Sequence, residues 1–209
     1  IKANLKKSPI RTIIDRNNIL NIKVTDQNSG QMLDGIPIEI IYNNKKASLF
    51  SDKQGVIEYD IGTIYKKSIS QILFSIDYAK IFNDIKDAKN IPTHLKDSES
   101  LKIEVIPSRV MIRSKEKNLN KVMTSSILEP VIKEMLSGYV EFVNNEPDFY
   151  INIDANTLVK SKIVESGFPF FSYGNASVTF VDSENDQEFF VTNLSDVKGG
   201  DFGSHRTAG

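Results

Sequence analysis

The chain has 209 residues, a formal net charge of −1 and no cysteine. Without cysteine there is no thiolate nucleophile, no cysteine-bearing zinc site and no disulfide. Cations and carboxylates interleave along the chain, which argues against nucleic acid as a partner, and no apolar run reaches the ~20 residues of a membrane-spanning helix.

Residues 1–18 read as a polar lead-in, broken by Pro9. Strand signals follow. Leu20, Ile22 and Val24 alternate with polar residues, the period of a strand with one buried face. Asp26-Gln27-Asn28-Ser29-Gly30 is a turn cluster, after which Ile36, Ile38 and Ile40 alternate again. Asn43-Asn44 suits a tight turn, because asparagine tolerates positive φ. Further strands are expected over Ala47–Phe50, Val56–Ile61 and Ile72–Ile76. The polar stretch Ile81–Ser100, carrying Pro92, reads as a long loop with a helical turn. Leu101–Ile106 supplies a last strand before Pro107. Short strands punctuated by turns in this way predict a β-sandwich domain over residues 1–106.

The second half, 107–209, reads as an α+β domain: an antiparallel sheet covered by one main helix. Val110–Ile112 is a short strand. Ser126 and Glu129 have capping-box spacing, Pro130 falls in the first turn, and Leu128, Val131, Ile132, Met135 and Leu136 form an apolar stripe. Gly138 fits the helix end, and Leu119–Met123 adds a turn or a kinked extension before the helix. Strands resume at Tyr139–Val143, Phe149–Val159, Ala176–Val181 and Glu188–Leu194. The whole is a mainly β chain with a smaller α+β part.

Two resemblances attach to these halves. An apolar helix, Gly138-Tyr139-Val140, Pro147-Asp148-Phe149-Tyr150-Ile151-Asn152-Ile153, a hairpin and Val197-Lys198-Gly199-Gly200 follow in that order. The second half thereby resembles the α/β domain of bacterial envelope lipoproteins related to the curli-export protein CsgG, the amino-terminal domain of TolB and the penicillin-binding-protein activator LpoB. Pro147 stands where such domains usually have alanine. The resemblance implies a closing helix from about Ser204, cut short at Gly209. Asp34-Gly35-Ile36-Pro37-Ile38 and Ser51-Asp52-Lys53-Gln54-Gly55 resemble immunoglobulin-like or transthyretin-like bacterial sandwich modules.

Candidate sites are few. His94 and His205 are the only histidines and neither has a nearby partner, so no metal site is expected. Asp182-Ser183-Glu184-Asn185-Asp186 alternates oxygen ligands but lacks the glycine and distal glutamate of a calcium loop, and reads as a solvated hairpin tip. Ser204-His205 are adjacent, which does not make a nucleophile–base pair. Asp148 and Asp154 are too far apart along one strand to act as paired carboxylates. Gly199-Gly200-Asp201-Phe202-Gly203 opens a helix without the Lys-Ser/Thr of a phosphate loop. No catalytic residue and no cofactor are therefore expected. The one candidate binding segment lies between Gly167 and Gly174: Phe168, Phe170, Phe171 and Tyr173, around Pro169. Alternation sends Phe168 and Phe170 to one side and Phe171 and Tyr173 to the other. Together with the resemblances, this describes a non-catalytic, extracytoplasmic binding or assembly module with a protein partner in the cell envelope. The alternative is a pair of accessory domains in a larger envelope enzyme.

Overall fold

A computed structural model describes residues 1–66, 70–82, 98–160 and 168–209. His94, Gly167 and most of the expected long loop lie outside these residues. The protein is mostly β, and it divides into two compact units, Ile1–Pro107 and Ser108–Gly209.

The first unit runs β1 (Lys2–Leu5), β2 (Ile10–Arg11), β3 (Ile19–Lys23), β4 (Pro37–Tyr42), β5 (Lys45–Phe50), β6 (Val56–Asp60), β7 (Ser70–Ile76), α1 (Tyr78–Ile81), β8 (Ser98–Ile103) and β9 (Val105–Ile106). One antiparallel sheet has the order β1-β3-β6 and another the order β5-β4-β7-β8. Alternation turns Leu20 and Ile22 of the first sheet and Ile38, Ile40, Ile72 and Phe74 of the second into one buried cluster. The Asn43-Asn44 turn joins β4 to β5 with both residues at positive φ, 47° and 61°, the two-residue loop whose twist suits a hairpin. Gly55 is required where it stands: its φ is +66°, and a Cβ there would lie 2.7 Å from the Val24 carbonyl.

The polar lead-in is corrected by the structure. It contains two strands. Ala3 and Leu5 of β1 pair opposite Ile22 and Leu20, while β2 lies parallel to β9 and buries Ile10 completely. These strands are too short for alternation to register, and their partners lie elsewhere in the sequence.

The second unit runs β10 (Ser108–Asn118), β11 (Lys121–Val122), α2 (Leu128–Leu136), β12 (Val140–Phe142), β13 (Phe149–Leu158), β14 (Phe170–Asp182), β15 (Glu188–Asp201) and α3 (His205–Ala208). The sheet order is β11-β10-β13-β14-β15, with β12 also on β10. The sheet is mixed rather than antiparallel: β10 runs parallel to both β12 and β13, because α2 carries the chain back before each begins. Of the two alternatives at Leu119–Met123, the structure has the turn, with Leu119 and Asn120 at positive φ, followed by β11.

Strand alternation gives this sheet two unlike faces. Val110, Phe149, Ile151 and Ile153 are buried on one, in register with Phe180 and Val178. Arg113, Lys115, Asn152, Asp154, Ser177 and Thr179 lie on the other. The β14–β15 ladder shifts register twice, between Gly174 and Ala176 and between Phe180 and Val181. At the first shift Asp196 takes a φ of 57°.

Candidate functional site

The apolar face of the second unit is fastened at one side by Glu116. This carboxylate sits inside the strand β10 and is only 7% exposed. It accepts hydrogen bonds from the Ser114 hydroxyl at 2.5 Å, from the Ser126 hydroxyl, from the Ile127 amide at 2.9 Å and from the Leu128 amide at 3.3 Å. The last two amides, at the start of α2, have no acceptor within the helix, and its dipole favours negative charge there. Burial pushes the Glu116 carboxyl up, but the bonds from Ser114, Ser126, Ile127 and Leu128 together outweigh it and hold it below its usual range. The carboxylate is a fastener for the helix, with its acceptor capacity already committed.

Ser126 also accepts the Glu129 amide at 2.9 Å, half of the capping box. The other half is missing, because the Glu129 side chain turns to Lys133 at 2.6 Å. At the far end Gly138 keeps negative φ, and the Tyr139 amide closes the helix on the Leu136 carbonyl at 2.9 Å.

On the other side of the face sits α3, a single turn. Ser204 caps it, its hydroxyl accepting the Thr207 amide. Asp201 accepts the Gly203 amide and the Thr207 hydroxyl, both at 2.6 Å, and these bonds, Thr207 first, keep its carboxyl below the usual range. The glycine-rich turn thus already holds an acid of its own. The Ser172 hydroxyl donates to the His205 carbonyl at 2.5 Å, and His205 Nδ1 lies 2.9 Å from the Phe171 carbonyl. Ser204 and His205 are therefore both engaged in holding the turn.

Between α2 and α3 the face is open. A groove of about 210 Å³ runs there, lined by Met123, Ile127, Leu128, Ala155, Leu194 and Val197 among others. Beyond it β15 is the sheet edge. Its apolar-face side chains Phe190, Leu194 and Val197 are about half exposed, and Phe202 just past the strand is more so. Near the hairpin, Phe149 stacks on Phe180 with ring centres 5.5 Å apart, and Phe189 and Phe190 both reach Phe180 because the register shift there gives β15 an extra residue.

The aromatic segment divides across the sheet. Phe170 lies on the apolar face, its ring centre 5.1 Å from the His205 ring. Phe171 and Tyr173 lie on the polar face, with Lys198 3.6 Å and Lys160 4.8 Å from their ring centres. Phe168 precedes β14 and is 60% exposed. The four residues are thus near one another in sequence but form no single patch.

At the hairpin tip Asp182 accepts the Glu184 amide at 2.9 Å and Asn185 accepts the Gln187 amide at 2.9 Å, so the loop's oxygens serve its own turn. Asp148 accepts the Arg109 amide at 2.7 Å, while Asp154 is exposed on the polar face. Among the described residues no three acidic or histidine side chains group as a metal site would need. No helix among the described residues is long and apolar enough to cross a membrane. Comparison with protein families, curated proteins and solved structures finds no match to this chain.

Proposed function

We propose that the chain is a non-catalytic binding or assembly module of a bacterial cell envelope, working outside the cytoplasm and docking a protein partner on the open half of the second unit's apolar face. One observation carries the reading: Phe190, Leu194 and Val197 stand exposed on one face of β15, a strand 14 residues long whose outer edge pairs with no other strand among the described residues. An exposed apolar row along a free sheet edge is the usual setting for a partner strand or helix. The resemblance of this unit to envelope lipoprotein domains supports the location. The first unit, with two antiparallel sheets sharing one core, suits an immunoglobulin-like or transthyretin-like sandwich acting as spacer or platform. The exposed Phe168 lies on the same unit and serves as a second contact in this reading.

The test is a photo-crosslinking side chain placed at Leu194 in cells that express the protein, with Lys46 on β5 as the control position. A discrete protein adduct from Leu194, absent from Lys46 and lost on Val197→Asp substitution, is the expected result. Equal labelling from both positions, or none from Leu194, would sink the reading.

A further inference from the structure

The polar face of the same sheet carries a second arrangement, independent of the apolar face. Three adjacent strands place their side chains there in registered rows. Arg113 of β10 is in register with Asn152 of β13 and Thr179 of β14, and the next row is Lys115, Asp154 and Ser177. Neighbouring strands lie about 4.8 Å apart and alternate residues about 7 Å apart, so the six side chains span roughly 10 by 7 Å. They line a groove of about 330 Å³. That is room for one pyranose ring with its substituents.

The groups in this grid are unspent. Among the described residues neither Arg113 nor Lys115 forms an ion pair, and Asp154 forms none although it faces Lys115 across the ladder. The Arg113 guanidinium is nevertheless fixed in place, 3.4 Å from the centre of the Tyr150 ring. A stacked guanidinium is preorganised for a carboxylate. The remaining members, an acid, an amide and two hydroxyls, are the acceptors and donors that sugar hydroxyls require.

We propose that this face binds an anionic sugar, a uronic acid, with its carboxylate on Arg113 and Lys115 and its hydroxyls on Asp154, Asn152, Ser177 and Thr179. A neutral sugar would leave two cations unmatched. A bare anion would leave the hydroxyls and the amide unused and would meet Asp154 as a repelling charge. A single-stranded nucleic acid needs uncovered rings for its bases. Here Tyr150, Phe171 and Tyr173 each already carry a cation, Arg113, Lys198 and Lys160 respectively. The chain-wide charge balance hid this patch, because the cations of β10 fall on alternate positions and gather only once the strand is formed.

The experiment is amide NMR titration of the full 209-residue chain with trigalacturonic acid, galactotriose, inorganic phosphate and oligothymidylate. Trigalacturonic acid is expected to move the amides of Arg113, Asn152, Asp154 and Ser177 with affinity at least about tenfold above the other three probes. Arg113→Gln and Lys115→Gln should each weaken it by about tenfold, the size of a lost charge-assisted hydrogen bond. Asp154→Asn is the discriminating variant. It should weaken the sugar acid while strengthening phosphate. If Asp154→Asn instead tightens trigalacturonic acid, the face is only a cationic patch. Tighter binding of oligothymidylate, equal binding of galactotriose, or no movement of these amides at about 10 mM sugar acid would each overturn the proposal.

Discussion

Glu116 fastens α2 with charge and hydrogen bonds. No residue of α2 is fully buried, and its apolar contact is limited to the half-buried Leu128, Ile132 and Leu136, so this fastening adds to a thin apolar seam. Its carboxyl is held below its usual 4.5 in the folded protein, so the stability it contributes is complete above that value and is lost as pH falls through the lower folded one. The stability of the wild type, read by chemical denaturation, should therefore fall on acidification below about pH 4.5, and fall less in Glu116→Gln. At neutral pH that variant should lose about 1–3 kcal/mol, because one side-chain oxygen becomes a donor facing the helix amides. Equal acid sensitivity of both proteins would assign the effect elsewhere. This role was not legible in the sequence. Local rules look for a cap within a few residues of the helix start, and they find Ser126. Glu116 arrives from a neighbouring strand, across the turn at Leu119 and Asn120, and only the fold brings it there.

Strands were legible where alternation was unbroken and invisible where it was interrupted. Alternation ends the last strand at Leu194, yet β15 continues to Asp201. The extra residue around Asp196 shifts the phase, so Leu194 and Val197 share a face despite their odd spacing. The same rule starts β14 at Ala176, where the structure begins it at Phe170, beyond the interruption at Gly174. Past that point β15 narrows its side chains. A Cβ on Gly199 would collide with the Ala208 carbonyl, so α3 can lie against the strand only if this position stays bare. Gly199→Ala should release α3 and cost about 1 kcal/mol, read as lost hydrogen-exchange protection at the Ala208 and Gly209 amides with β13 unaffected. Retained protection at those amides would show that the turn tolerates the methyl group. The helix α2, by contrast, was readable from its stripe and its first-turn proline, since both signals are local.

Across the whole molecule, both units rest on buried strands, and the second adds helices fastened by polar bonds. The buried cluster of the first lies wholly within Ile1–Pro107, where Ile10, Leu20, Ile22, Ile38 and Ile72 are fully enclosed. The fragment 1–107 expressed alone should therefore fold cooperatively, with dispersed amide resonances and a single sharp melting transition. A broad, non-cooperative melt of the fragment would show that its core needs the rest of the chain. In the second unit the central strands bury one face only, and the half-buried helices are fastened further by polar bonds from Glu116, Ser126, Ser172 and Asp201. Hydrocarbon enclosure is indifferent to pH, whereas a hydrogen-bonded carboxylate yields to protons. Acid should therefore free α2 and α3 of the second unit before it opens the buried strands beneath them.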